Sequence, residues 1–365
     1  MSVLVVNVGS RTVKLRVVGP DDRVVASEDL GAEPDDAAVD AFVAAAPPLD
    51  AIGHRVVHGG ARHHLPARLD DEVLAELDAL STLAPLHNPP ALRLARRLLE
   101  RYPAIRQYAC FDTAFHAYLP DAAAVYALPW EWTATHGIRR FGFHGLSHAW
   151  ASRRAAAMLG RPLEDLRLVT CHLGGGASLA AVASGRSIDT TMGFTPLEGL
   201  VMATRSGSVD PGVLLWLITD VGLDPSEVAE ALHHRSGLLG ISGVSADVHE
   251  VVEAAAGGDT RAELAMAVYV HRLRREIAAM TAAMSGVDAV VFTAGVGEHA
   301  PEIRQAACDG LGYLGIGVDR ERNRAPAVHE HDTDITAPGA PVSVLVVHAR
   351  EELEIAHQVR AALAG

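Results

Sequence analysis

The chain opens on an apolar run, Val3 to Val6, that ends at Asn7; a Gly9-Ser10 turn follows, and alternation resumes in Val13, Leu15 and Val17. That pattern predicts a β-hairpin with polar side chains crowded at its tip. Taken alone it reads equally well as a surface turn, since Gly, Ser and Asn are turn formers. A second copy shifts the balance: Leu168 to His172 repeats the apolar strand with its polar end, Gly174-Gly175-Gly176 repeats the turn, and Ser178 to Val182 repeats the return strand. Val290 to Thr293 is a third strand, ending in Gly295 and Gly297 and leading into a helix-like segment, Pro301 to Leu311, with proline near its start. A helical pattern over Ala91 to Arg101 follows the rigid His87-Asn88-Pro89-Pro90 loop. A further strand ends at Cys110-Phe111 with Asp112 beyond it, and a terminal helix begins at Glu351, where the helix dipole is reason enough for an acidic first turn.

Glycine turns of this kind expose backbone N–H groups that form concave anion sites. Two such hairpins facing each other would clamp a polyphosphate between similar halves. No Gly-x4-Gly-Lys-Ser/Thr loop is present, and no Gly-x-Gly-x-x-Gly opens a helix after a strand, which excludes the P-loop and Rossmann readings.

Composition narrows the class. The 365 residues are 49% hydrophobic and 21% charged, a globular balance with room for two domains, three at most, at roughly 150 residues each. Lys plus Arg is 31 and Asp plus Glu is 45, so the net charge is −14. An acidic surface repels phosphate polymers, so nucleic acid is not an expected partner. Cys110, Cys171 and Cys308 cannot all pair and match no zinc spacing, which fits a reducing cytoplasm. The longest uncharged stretch, Leu168 to Gly185, contains His172 and three glycines and is no bilayer span. The N-terminus enters a strand without a signal core. The expectation is a soluble, intracellular, cytoplasmic protein with no membrane partner.

Scarce residue types are more telling. Lys14 is the only lysine among the 31 basic residues, and asparagine occurs only as Asn7, Asn88 and Asn323. A position that keeps lysine in an arginine-rich chain calls for a compact ammonium on a flexible stem, which a planar guanidinium does not replace. Asn7 and Lys14 flank the same glycine.

The remaining chemistry lies in short segments: His54-Arg55-Val-Val57-His58-Gly59-Gly60, Phe111-Asp112-Thr-Ala-Phe-His116, Arg140-Phe-Gly142-Phe143-His144-Gly145, Gly193-Phe-Thr-Pro196-Leu-Glu-Gly199 and Phe292-Thr-Ala-Gly295-Val296-Gly297-Glu298. Nineteen histidines invite a metal-hydrolase reading, since His144 and His148 stand at i, i+4. Gly145 occupies the place of the required Glu, and Gly142 and Gly145 argue against a helix there, so that reading is set aside. His329-Glu-His-Asp332 reads as a solvated loop.

In order and over nearly the whole chain, these segments resemble the acetate kinases, of the acetate and sugar kinase, Hsc70 and actin superfamily. The family's opening Asn-x-Gly-Ser-Ser-Ser-x-Lys is matched at Asn7 to Lys14, with Arg11 and Thr12 in place of two serines. Between Lys14 and His54 the chain is shorter than typical members, so the first domain is expected to lack peripheral elements. The resemblance implies an α/β protein of two actin-like (ribonuclease H-like) domains with a duplicated core and an interdomain active-site cleft. The expected boundaries are 1–114 with 351–365 for the acetate side, and 115–350 for the nucleotide side.

The implied activity is reversible in-line transfer of the ATP γ-phosphoryl to acetate, giving acetyl phosphate and ADP. Such a reaction needs positioning and charge neutralisation more than proton transfer. By resemblance Arg55 holds the acetate carboxylate, His87 supports it, and Arg205 bridges the transferring phosphoryl. His144 hydrogen-bonds the equatorial oxygens, and Asp112 positions the arginine and the metal, since acetate at neutral pH has no proton to lose. Val57, Leu86, Phe143 and Pro196 would face the acetate methyl; each would otherwise pass as core. Mg2+ (or Mn2+) would be held by Asn7 and Glu351, with Glu352 the alternative because Arg350 replaces the family's asparagine.

Nucleotide binding is carried over to Ser10, Thr12, Lys14, His172, Leu173, Gly174, Gly175, Gly176, Asp247, Val248, His249, Gly295, Val296, Gly297, Glu298 and His299. Here the chain departs from the family: Gly175, His249 and His299 stand where Asn, Arg and Asn are usual. The resemblance also implies a homodimer. A kinase for propionate or butyrate, and a non-catalytic actin-like nucleotide-binding protein, are the alternatives weighed against acetate kinase; the intact Asn7, Lys14, Arg55, Asp112, His144 and Arg205 set speaks against the last.

Overall fold

The computed structural model describes residues 1–9, 12–32, 34–85 and 87–364. The chain forms two compact units: Met1–Ala117 with Phe143–Trp150 and Arg350–Gly365, and Tyr118–Gly142 with Ala151–Ala349. Phe143–Trp150 thus packs with the first unit, whereas the sequence reading put it in 115–350.

The first unit is built on six strands: β1 (Val3–Val8), β2 (Thr12–Val18), β3 (Val24–Gly31), β4 (Ala51–Val56), β5 (Ala67–Arg68) and β6 (Arg106–Phe111). Their order in the sheet is β3-β2-β1-β4-β6-β5. The predicted hairpin is β1–β2, antiparallel, with Asn7 opposite Lys14 in register. β4 and β6 run parallel to β1, β4 entered through the helix Asp36–Ala45 and β6 through the helices Asp71–Ala79 and Asn88–Arg101, as parallel strands require. One sheet face packs Val3, Val5 and Ala51 against Ile355, Ala356 and Val359 of the terminal helix Glu351–Ala364; the other packs Leu4, Val6 and Ile52 against Val39, Leu94 and Leu98. Period-2 side-chain alternation supplies both faces from one apolar run.

The second unit repeats the plan with β7 (Arg167–Leu173), β8 (Ala177–Ala183), β9 (Arg186–Thr190), β10 (Ala289–Thr293), β11 (Thr333–Asp334) and β12 (Ser343–Val346), in the order β11-β12-β10-β7-β8-β9. A three-strand antiparallel meander, two parallel strands and one antiparallel edge strand occur in both sheets, in the same sequence. This is the duplicated actin-like core that the resemblance implies.

Three local expectations are corrected. A helix does run Gly145–Leu159, so Gly145 is not a helix breaker. It is there for packing: a Cβ at this position would overlap the Asp112 carbonyl oxygen, which accepts the Gly145 N–H at 2.9 Å. Gly295 to Glu298 belongs to a short helix, Ala294–His299, rather than an open glycine turn. In the His329 to Asp332 segment, His329 and Glu330 close a helical turn, Ala327–Glu330, and only the remainder is loop.

Candidate active site

In the first unit Asn7, at the end of β1, Arg55, on β4, and Asp112, directly after β6, lie on adjacent parallel strands and are brought together by the sheet itself. Arg55 donates from Nε to Asp112 Oδ1 at 3.1 Å and from Nη2 to Oδ2 at 2.6 Å, a two-point carboxylate pairing. Its remaining nitrogen, Nη1, donates to Asn7 Oδ1 at 3.2 Å and lies 3.8 Å from Glu351 Oε2. Asn7 Nδ2 in turn donates to Glu351 Oε2 at 2.9 Å. Burial opposes the Arg55 charge, but Asp112 and Glu351 outweigh it and raise the guanidinium pKa, so the cation is permanent. Burial pushes the Asp112 carboxyl up, against the pull of Arg55 and of the His144 backbone N–H that it accepts.

Asp112 therefore also anchors the start of the helix Gly145–Leu159. His144 sits just before that helix with φ 56°, in the left-handed region that non-glycine residues seldom adopt. It is off the helix, so the i, i+4 pair with His148 does not form on one helix face. Val57 and Phe143 are both buried, and Phe143 meets His58 edge-on with ring centroids 5.5 Å apart. His87 stands at the N-cap position of the helix Asn88–Arg101, without a capping hydrogen bond from its side chain. Lys14 and Thr12 are exposed on β2. Ser10 and Leu86 lie outside the described residues.

In the second unit the turn Gly174–Gly176 closes on itself through Gly174 N–H to Gly176 O at 2.9 Å. His172 pairs with Thr293 across β7 and β10, so this turn and the helix Ala294–His299 stand at the carboxyl ends of adjacent strands, where open α/β sheets bind ligands. Asp247 caps the helix Val248–Ala256 through the His249 N–H at 2.7 Å; Val248 is buried and His249 exposed. His299 stacks on His329 with centroids 5.4 Å apart. The Glu298 carboxylate accepts the Ala349 N–H at 2.8 Å and lies 3.5 Å from His348 Nδ1, which directs it to its own chain.

Arg205 donates from Nη1 to the Pro196 carbonyl at 2.6 Å. Among the described residues it has no carboxylate at ion-pair distance, and burial lowers its pKa, as expected of a cation left without a counter-charge.

Three contributors escaped sequence reasoning. Asn88, fully buried, accepts the His58 N–H at 3.1 Å and returns a bond to the His58 carbonyl at 3.0 Å, tying its loop to the end of β4. Asn323 accepts from the buried Arg304, whose Nη1 holds the Gly297 and Glu298 carbonyls at 2.8 and 2.9 Å. Glu198 binds Arg140 and Tyr126. The scarcity of asparagine was the signal for the first two; a glutamate among so many acidic residues gives none for the third.

Two sheets of one topology, each with a glycine hairpin at the same place, define a protein of the actin-like kinase class. Within it the chain belongs to the acetokinase family, whose profile matches residues 35–357. It is 48% identical over 317 residues to the acetate kinase of Heliobacterium modesticaldum, covering 87% of this chain and 79% of that one. With the acetate kinase of Clavibacter michiganensis it shares 50% over 336 residues, 90% and 84% of the two chains. Among solved structures it matches the Porphyromonas gingivalis acetate kinase with a TM-score of 0.90 and 36% identity over 99% of both chains. A propionate kinase from Francisella tularensis matches with a TM-score of 0.87 and 34% identity over 98% of both. The protein is accordingly a phosphotransferase with a carboxyl group as acceptor, and ATP and ADP are its co-substrates.

Proposed function

We propose that the protein works as an acetate kinase, moving the ATP γ-phosphoryl to acetate and back, with the acid held by Arg55 and the transferring group met by Arg205 and His144. The observation that carries this reading is the Arg55 guanidinium, locked in plane by Asp112 beside Asn7 and Glu351. A fixed cation of this kind suits a carboxylate substrate already ionised at neutral pH, so no general base is required. Asp112 orients Arg55 and, through the His144 N–H, the histidine. Arg205 supplies uncompensated positive charge, the property a phosphoryl transition state draws on. Val57, Phe143 and Pro196 are assigned to the acetate methyl. Lys14, Thr12, the turn Gly174–Gly176 and the segment Gly295–His299 are assigned to the nucleotide.

The donors of Asn7, Asp112 and Glu351 are hard oxygens in one hydrogen-bonded cluster, which suits Mg2+ or Mn2+. Asn7 and Glu351 would hold the ion. When bound it would neutralise charge on the phosphates. Glu352 stays half-buried with its carboxyl pKa raised by burial, which favours Glu351 as the ligand.

A homodimer is part of the proposal. The helix Pro211–Thr219 has no buried residue, and Leu215 and Trp216 on it are 63% and 56% exposed. A face this apolar supports a self-associating surface. The net charge of −14 supports the absence of nucleic-acid partners. No helix among the described residues is long and apolar enough to cross a membrane, and the three cysteines are buried and unpaired, in keeping with a cytoplasmic location.

The test is an acyl-phosphate trapping assay with ATP and acetate, propionate or butyrate. Acetate should give the highest kcat/KM. Turnover confined to propionate or butyrate would replace the acetate reading, and absence of turnover with every acid would end it.

A further inference from the structure

The loop Gly193–Gly199 is held by a polar cluster that the reaction chemistry does not call for. Glu198 Oε2 accepts from the Tyr126 hydroxyl at 2.5 Å, and Oε1 accepts from Arg140 Nη2 at 3.0 Å. The Tyr126 oxygen accepts the Phe194 N–H at 2.9 Å, and the Gly193 carbonyl accepts the Phe141 N–H at 3.0 Å. Arg140 is itself fixed, donating from Nη1 to the Thr190 carbonyl at 3.1 Å and lying 5.4 Å from the centroid of the Tyr126 ring. Closure is tight enough that a Cβ on Gly193 would overlap both the Glu198 carboxylate and the Tyr126 hydroxyl. Burial keeps the Tyr126 phenol protonated and therefore a donor.

Midway along this loop stands Pro196, and its carbonyl is the acceptor at 2.6 Å for Arg205 Nη1. A long side chain without a carboxylate partner takes its direction from whatever single acceptor it has. We propose that Tyr126 and Glu198, backed by Arg140, are positioning residues for phosphoryl transfer, acting by fixing the Pro196 carbonyl and through it the Arg205 guanidinium. The inference rests on the reading of Arg205 as the arginine that meets the transferring phosphoryl. Misplacement of a reacting or stabilising group by about 1 Å costs on the order of 10²-fold in rate, so a rigid seat for Arg205 has a kinetic consequence.

The experiment is steady-state kinetics on Tyr126→Phe, Glu198→Gln and Glu198→Ala, each alone and with Arg205→Ala, using ATP and acetate. Tyr126→Phe and Glu198→Ala should lower kcat about 10-fold or more, with KM for ATP within twofold; the unfolding midpoint should be nearly unchanged in Tyr126→Phe and lower in Glu198→Ala, which leaves the Arg140 guanidinium without its counter-charge. Glu198→Gln, which keeps an acceptor for Arg140, should recover most of that loss. In the Arg205→Ala background Tyr126→Phe should cost nothing further, because its route to the reaction has been removed. A Tyr126→Phe enzyme with wild-type kcat would overturn the proposal, as would an equal loss with and without Arg205. If Arg205→Ala itself turns over normally, the reading of Arg205 fails first; an inactive Arg205→Ala beside fully active Tyr126 and Glu198 variants removes the network alone.

Discussion

Asp112 takes two hydrogen bonds from Arg55 and a third from the His144 backbone N–H, so one carboxylate fixes both the Arg55 guanidinium and the backbone at His144. Asp112→Asn keeps the shape and removes the charge. A buried guanidinium deprived of its counter-charge costs about 3–5 kcal/mol, and loss of oriented electrostatics costs about 10²–10³ in kcat. The variant should melt earlier and lose at least 10²-fold in turnover, measured by thermal unfolding and acyl-phosphate trapping. Turnover within twofold of wild type would show that Asp112 is dispensable for the site.

Lys14 lies opposite Asn7 across the β1–β2 ladder and is exposed. Lys14→Arg preserves charge but replaces a compact ammonium with a planar fork. We expect turnover about 10-fold lower or worse at saturating ATP, with no change in fold. Full activity at every ATP concentration would mean that the uniqueness of this lysine carries no function.

Val57, two residues beyond Arg55, is buried, and on the proposed assignment shortening it enlarges the space open to the acid. One methylene in such a site is worth about 1–3 kcal/mol. Val57→Ala should therefore raise the propionate-to-acetate ratio of kcat/KM by about 10-fold. An unchanged ratio takes Val57 out of the acid-binding wall.

At the nucleotide turn, nothing lies within 4 Å of a Cβ placed on Gly175. Gly175→Asn should fold without strain and add a hydrogen bond worth about 0.5–1.5 kcal/mol, tightening ATP binding a few-fold. His249→Arg should act in the same direction. Both should leave kcat alone, as uniform binding does; calorimetric titration of ATP together with kinetics separates the two quantities, and a change confined to kcat would contradict the assignment.

His54 and His58 are fully buried, and burial lowers each pKa to about 4, with the Gln107 hydrogen bond opposing this at His54. In the unfolded chain histidine titrates near 6.5, so between those values the unfolded state binds protons that the folded state does not. Stability contributed by the neutral rings is complete above about pH 6.5 and is lost as pH falls toward 4, by about 3 kcal/mol for each ring. Urea unfolding at pH 7.5, 6 and 5 should show the decline, and His54→Gln should flatten it. A stability flat over this range would mean that neither ring is neutral because of burial.

Sequence legibility followed rarity and period. The two glycine hairpins were legible because strand alternation breaks at a turn and then resumes in phase. Each of the three asparagines proves to be a clamp: Asn7 on Arg55 and Glu351, Asn88 on the His58 backbone, Asn323 on Arg304. The helix at Gly145 was not legible, because its glycine answers to the Asp112 carbonyl far away in sequence, which local propensity does not report. The Ala294–His299 helix was hidden by its own glycines for the same reason. Glu198 lay inside a recognised segment, but its role did not show there, and Tyr126 had no sequence signal; their pairing arises from a loop closing on a side chain 72 residues away.

The terminal helix Glu351–Ala364 covers the face of the first sheet that bears Val3, Val5 and Ala51. During synthesis those strands leave the ribosome early, and their cover follows only after the whole second unit. At about 5–20 residues per second, the interval is tens of seconds, throughout which an apolar sheet face waits uncovered. The second unit has no such debt to the C-terminus and can complete its own sheet first. Nascent chains of this protein therefore carry an open apolar sheet face until the helix Glu351–Ala364 has emerged, and loss of that helix would leave the face open for the lifetime of the chain.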